Sequence, residues 1–432
     1  MKNTADVIII GAGIMGTAIA LELARLGYRP IVVDKLPAAG YGSTSNSCAV
    51  IRTHYSTLDG VAIAYEGYFH WINWGDHLGV KDERGLARFI NTGGLMMGTI
   101  SEKMLGFLSE AGVPYDIWDM DTLTRMAPYY DPHDFWPPRL PDDPEFFNEP
   151  SALLSQVVHV PSTGYMNDPQ LSVHNLQMAA EAHGARFMFN RSVKEIHRNS
   201  GRVSGVTLDD GSQVTAPVVV NAAGPHSFVI NRLADVEGDM NIKTRALRHE
   251  VHFVPPPAGV DVLNQGYVVS DHTLMTYHRP EAGNMILVGS MDPECDAKTW
   301  IDNPDQFNRQ ATTEQWRSQV YRLARRIPKV PIPNAPKGLA DLYDVSDDWI
   351  PIYDKSSLDG FYMAVGTSGN QYKNGPVVGR MMAALIDACE NGQDHDTDPV
   401  KFQAPYTRRE LNLGFYSRLR QINRESSFSV VG

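Results

Sequence analysis

One run near the start, "DVIIIGAGIMGTAIALELARLGYRPIVVDK" from Asp6 to Lys35, leaves few folds open to this chain. "DVIII" is a short β-branched apolar run that reads as a buried strand. "IMGTAIALELARLG" carries apolar residues at helical spacing and stops at Gly27, and "RPIVVDK" is a second buried strand ending in an acid. Together they spell a β-α-β unit, with "GAGIMG" (Gly11, Ala12, Gly13, Ile14, Met15, Gly16) at the strand-to-helix turn. The first glycine permits the turn, the second lets backbone approach a pyrophosphate, and the third lets helix and strand pack closely. The helix N-terminus then offers unpaired N–H groups to the phosphates. Asp34 stands 18 residues past Gly16, placed to accept hydrogen bonds from a ribose, with Lys35 beside it. A lone GxGxxG is weak evidence. Strand, turn, helix, strand and acid in this order point to a dinucleotide site, without choosing between NAD and FAD.

The chain has 432 residues, 43% of them hydrophobic, enough to bury a large core in two domains. A formal charge of −12, from 38 basic and 50 acidic side chains, argues against nucleic acid as a partner. The three cysteines (Cys48, Cys295, Cys389) are far apart, which suits neither a disulfide framework nor a zinc site; no metal is expected. Asp6 opens the first strand with no room for a signal peptide before it, and no segment reads as a membrane span. A cytoplasmic location is expected.

Further along, Leu58 to Leu78 has a helical pattern rich in Tyr and Trp. Met126 to Pro150 holds seven prolines and many aromatics, and reads equally as a surface excursion pinned by packed rings or as a lid over a substrate pocket. A helix and strand are expected over "DPQLSVHNLQMAAEAHGARF", strands near "SVKEI", a hairpin in "GRVSGVTLDDG", and a strand in "APVVVNAAG". Several strands follow between Thr244 and Gly289, then a long polar helix around Pro304 to Arg326; "FYMAVG" precedes a final helix. Nucleotide-type βα segments thus recur at both ends, with β-rich segments between them. The expected fold is α/β with α+β elements: a Rossmann-like domain (residues 1–80, 155–225 and 335–400) interleaved with a mixed-sheet substrate domain (81–154 and 226–334), then a C-terminal extension (401–432).

Four segments carry a resemblance: "GYGSTSNSCAVIR", "VVVNAAGPHS", "YHRPEAGNMILVG" and "GTSGNQYKNGPVVGRMMAALI". In this order the chain resembles the D-amino-acid-oxidase-like superfamily of FAD enzymes, with its nearest look to sarcosine oxidases and dimethylglycine-type dehydrogenases. The resemblance runs from Asp6 to about Cys389 and is weakest between Ser101 and Pro161. It implies FAD in a Rossmann-like domain, and a mixed sheet over the reactive face of the flavin. It also implies that Ser43, Thr44 and Ser45 meet the pyrophosphate and ribityl chain, that the strand at Val193 meets adenine, and that Ala223 and Gly224 lie against the cofactor. Gly366, Gly369, Asn370 and Lys373 match the segment that meets the flavin pyrimidine.

Family members often attach FAD covalently through a histidine in the first of these loops or a cysteine late in the chain. Asn46 and the neighbourhood of Asp341 stand at those places here, so non-covalent FAD is expected, with Cys48 the nearest thiol. Arg52 and Lys373 match the pair that holds a substrate carboxylate. The planar guanidinium fork can donate two parallel hydrogen bonds to it. Tyr55 and His54 could line the same pocket, and His249, His252 and His278 are further candidates for a base. The implied reaction is oxidation of a C–N bond in a small secondary or N-methylated amino acid: hydride leaves to flavin N5 and the imine is hydrolysed. A 2-hydroxy-acid dehydrogenase, or an FAD-binding subunit of an electron-transfer complex, are the alternatives. The electron acceptor is O₂, a quinone or an electron-transfer protein. Oxygen-using relatives carry a lysine where this chain has Leu287, which tilts the expectation towards a dehydrogenase.

Overall fold

The computed structural model describes residues 3–150 and 152–431. Two large sheets organise them. The six-stranded sheet runs Arg186–Met188, Pro30–Val33, Val7–Ile10, Val218–Asn221, Phe361–Val365 and Ile352–Lys355. Its neighbours are parallel except the last pair. Parallel strands joined by crossovers need both faces covered, and the sequence supplies both covers. Helices Ile14–Arg25, Pro169–Ala182 and Gly375–Glu390 pack one face through Ala18, Leu176 and Val377. A four-stranded sheet containing Val193–Asn199 and Arg202–Leu208 packs the other through Val203 and Val206.

The nine-stranded sheet includes Thr244–Val254, Val268–Asp271, Thr276–Glu281, Met285–Ser290 and Gly338–Ser346. Helix Thr313–Arg326 seals its outer face, setting Trp316, Val320 and Leu323 against Val254, Ile286 and Val288. The expected α/β fold, with a Rossmann-like sheet interleaved with a mixed one, is the fold observed.

Several details differ from the expectation. Val157–Val160 pairs with Gly94–Met97, and Gly338–Ser346 with Thr244–Val254, so both belong to the larger sheet although they fall within the expected nucleotide segments. The helical stretch 58–78 is two helices, Leu58–Ile72 and Trp74–Leu78, broken at Asn73. The polar helix starts at Thr313 rather than near Pro304, because the Thr312 hydroxyl caps it by accepting from the Gln315 N–H. The preceding loop is held open by Arg248, which donates to the carbonyls of Asn308 and Gln310.

The proline-rich stretch 126–150 is a surface excursion. Arg322, Arg325 and Arg326 capture the carbonyls of Arg139, Phe146 and Asp131, tying it to the helix behind the sheet, and none of its residues lines the cavity described below. The lid reading falls with that. No described helix is long and apolar enough to cross a membrane.

Candidate active site

A cavity of about 640 Å³ lies between the two sheets. At one end the glycine turn does what its spelling requires. Gly11 has φ +107°, and a Cβ there would sit 2.3 Å from the Ala222 carbonyl oxygen. A Cβ on Gly16 would sit 1.9 Å from the Gly11 oxygen, so this glycine closes the packing between strand and helix. The helix it opens has no side-chain cap from Gly13; its Ile14 N–H instead meets the Thr44 hydroxyl at 3.2 Å. The carboxylate of Asp34 accepts from the Ala12 and Leu36 N–H groups at 2.7 and 2.8 Å, which fixes its orientation on the cavity wall. Burial raises the Asp34 pKa, while those two amides oppose the shift.

Of the residues expected at a cofactor, Gly11, Gly13, Ile14, Met15, Asp34, Lys35, Ser43, Thr44, Val193, Ala223, Gly224, Gly369, Asn370 and Lys373 line the cavity. Four do not. Ala12 and Gly16 act from behind the turn, Ser45 donates to the Gly42 carbonyl, and Gly366 donates its N–H to Asp344 at 2.6 Å. Gly-lined backbone, an uncapped helix end, hydroxyls and a fixed ribose-type acid together fit FAD. So does the turn that leads into the 16-residue helix Gly375–Glu390, itself without a side-chain cap, since Tyr372 and Lys373 of that turn line the cavity.

Another part of the cavity is built around two buried basic side chains. Lys373 Nζ donates to the Asn370 carbonyl at 2.6 Å and stands 4.9 Å from the Tyr55 ring centre. Arg52 stands 4.5 Å from the same ring and donates to the carbonyls of His54 and Val430. Tyr55 thus lies close to both, and its hydroxyl donates to the Asn370 carbonyl at 2.6 Å. Both cations rest on neutral oxygens. Burial lowers the pKa of Arg52, and burial followed by the Arg52 charge holds Lys373 well below the usual lysine range. No carboxylate is among the charges that shift either one.

Tyr55 and His54 stand behind this wall instead of on it, because both are buried against the turn that carries Asn370 and against Ser270. His54 Nε2 meets Ser270 Oγ at 3.0 Å, and burial, Arg52, His272 and Lys373 keep its ring neutral. Burial pushes the Tyr55 hydroxyl up to about 12. Among the other histidines, His249 lines the cavity, paired with Asp292 at 3.0 Å. His252 is bound to Gln319, and His278 to the Tyr130 hydroxyl, on the sheet's outer side.

Two places expected to matter for covalent attachment meet directly: Asn46 Nδ2 donates to Asp341 Oδ2 at 2.6 Å. Cys48 Sγ lies 3.2 Å from the Tyr277 hydroxyl, and burial raises its pKa, so it is a thiol rather than a reactive thiolate. Leu287 pairs with Phe253 and Arg279, on the face shared with Val251 and Tyr277, which line the cavity. Its neighbour Arg279 is a cation, but it is spent on Glu281 at 2.9 Å and on the Cys48 carbonyl.

Sequence reasoning missed two residues that shape this end. Trp71 Nε1 donates to the Lys373 carbonyl at 2.7 Å. Tyr343 lines the cavity and stacks on His249 at 4.4 Å; a Cβ on Gly369 would strike its ring at 2.4 Å. Among the described residues no cluster of three or more His, Cys, Asp or Glu could hold a metal ion.

The profile of the family described as FAD dependent oxidoreductase (DAO) matches residues 6–385. A curated glycine oxidase from Geobacillus kaustophilus (strain HTA426) is 22% identical over 411 residues, 91% of this chain and 96% of that protein. The mitochondrial pyruvate dehydrogenase phosphatase regulatory subunit of Mus musculus is 22% identical over 254 residues, 57% of this chain but only 25% of that protein's length. Among solved structures, L-proline dehydrogenase from P. horikoshii superposes with a TM-score of 0.75 at 20% identity, covering 97% of this chain and 98% of that one. L-amino acid deaminase from Proteus vulgaris gives 0.69 at 13% identity, covering 97% and 98%. The likenesses to solved structures show a shared fold, and none of these matches carries the narrower expected likeness to sarcosine oxidases.

Proposed function

Because the chain belongs to the FAD-dependent oxidoreductase (DAO) family, we propose that it oxidises the C–N bond of a small amino acid, secondary or N-methylated, whose carboxylate is held by Arg52 and Lys373. The observation that carries this is the pair itself: two buried basic side chains lining one cavity, both resting on carbonyls, with no carboxylate among the charges that shift them. An anion arriving there meets the Arg52 charge and favours the protonated form of Lys373, in a desolvated site where such pairing is strong. Names of relatives support the same chemistry, since glycine, proline and L-amino acids all present a carboxylate beside a C–N bond.

The glycine turn and Asp34 would hold FAD without a covalent link, and FAD would supply the hydride acceptor. The residues supply position. Arg52 and Lys373 fix the carboxylate, which orients the neighbouring carbon, and the burial of both keeps water away from the site. The helix end at Gly375 and Pro376 favours negative charge developing near it. His54, held neutral behind the wall, adds no positive charge to that of Arg52.

The test is anaerobic mixing of the purified yellow protein with N-methylated, cyclic secondary and primary amino acids and with 2-hydroxy acids. Bleaching of the flavin band by amino acids supports the proposal. Bleaching by hydroxy acids alone would make it a hydroxy-acid dehydrogenase, and no bleaching by either would leave the electron-transfer-subunit reading.

A further inference from the structure

The stretch 426–431 ends inside the substrate end of the cavity. Val430 and Val431 belong to its lining and are buried against Leu247, Met291, Val345 and Trp349. The chain before them is firmly anchored. Arg418 pairs with Asp239, Asp354 and Asp396, and Arg420 pairs with Asp348 at 2.8 Å. The Asn423 N–H donates to the same Asp348, and Glu425 pairs with Lys103 at 2.7 Å. Beyond that anchor the hydroxyls of Ser426 and Ser429 accept from the Phe428 and Val431 N–H groups, each at 3.2 Å, and turn the segment inward. The Val430 carbonyl then accepts from Arg52 Nη2. Of the five guanidinium N–H groups, one therefore goes to Val430 and one to His54.

We propose that residues 426–431 form the specificity-determining wall of the substrate site. The Val430 carbonyl sets which donors of Arg52 remain for the substrate carboxylate, and the Val430 and Val431 side chains limit the space beside it, selecting small amino acids. This rests on the carboxylate-site reading above. An apolar wall next to a fixed anchor discriminates by exclusion, worth roughly 10- to 200-fold for about one methylene.

The experiment titrates FAD-loaded enzyme with propanoate and with 3-phenylpropanoate, following the flavin absorption band, so that binding is read without turnover. The full chain is compared with Val430→Ala, Val431→Ala and a chain ending at Arg424. The ratio of the bulky to the small dissociation constant is expected to fall by about tenfold or more in the shortened chain and in at least one point variant. An unchanged ratio in all three overturns the inference while leaving the carboxylate site intact. If the shortened chain does not fold, the two alanine variants decide alone. Failure of propanoate to bind the full chain overturns the carboxylate reading, and the inference with it.

Discussion

Lys373 shows how burial turns a common side chain into a specific one. Burial and the nearby Arg52 charge hold its ammonium far below the ordinary range. A bound carboxylate favours the protonated form, so once pH exceeds that lowered value, binding must take up a proton. Affinity for a carboxylate lacking an amine should therefore weaken as pH rises through it, approaching about tenfold per pH unit. Lys373→Arg keeps its charge throughout and should flatten the slope; equal slopes in both proteins would remove Lys373 from the site. The bond between Asn46 and Asp341 bears on the cofactor. With neither residue able to form the links relatives use, and Cys48 held as a thiol, acid precipitation should leave a yellow supernatant and a colourless pellet. A yellow pellet would mean a covalent link.

The turn carrying Lys373 is held by an element far away in sequence. Helix Leu58–Ile72 reaches it because Gly67 has no side chain; a Cβ there would sit 2.7 Å from the Lys373 carbonyl oxygen. Trp71 then satisfies that carbonyl. Trp71→Phe should keep the ring packing against Trp74 and Tyr372 but strand a buried acceptor, costing about 1–3 kcal/mol of stability. It should also raise KM several-fold with FAD retained, measured by thermal unfolding and anaerobic reduction; unchanged KM would mean that the turn holds Lys373 without help. This contact marks the limit of what the sequence discloses. The β-α-β unit was legible because strand, glycine turn, helix, strand and acid follow one another in the single run from Asp6 to Lys35, although the atom that Gly11 must avoid belongs to distant Ala222. Asp34 was legible for the same reason, and the lysine turn through the resemblance of its segment to a known family. The partnership of Trp71 with Lys373 spans 302 residues, and nothing in a Tyr- and Trp-rich helix says which carbonyl one indole will find. Tyr343 against Gly369 was hidden likewise, since that meeting depends on how the two sheets come together. The proline-rich stretch 126–150 was ambiguous because composition cannot show which side of a sheet a loop covers.

Across the molecule, the two sheets enclose one cavity lined both by the cofactor-type residues and by Arg52 and Lys373. The larger sheet contributes Leu287 on its cavity face, beside an Arg279 whose charge Glu281 already neutralises. Electron transfer to O₂ builds negative charge that a fixed free cation would stabilise. We predict slow turnover with air and much faster turnover with an artificial dye or quinone, compared by stopped-flow mixing; air as fast as dye would make the protein an oxidase. The carboxylate clamp itself can be tested by comparing an N-methyl amino acid with its methyl ester, as reductants of the anaerobic enzyme, in wild type, Arg52→Ala and Lys373→Ala. Losing one charged partner of a desolvated pair costs about 2–5 kcal/mol, or roughly 30- to 5,000-fold. Wild type should prefer the acid over the ester by a factor in that range, and each variant should lose most of the preference while remaining yellow. An ester that reduces the wild type as well as the acid does, or a preference that survives both substitutions, would contradict the assignment of Arg52 and Lys373 to the substrate.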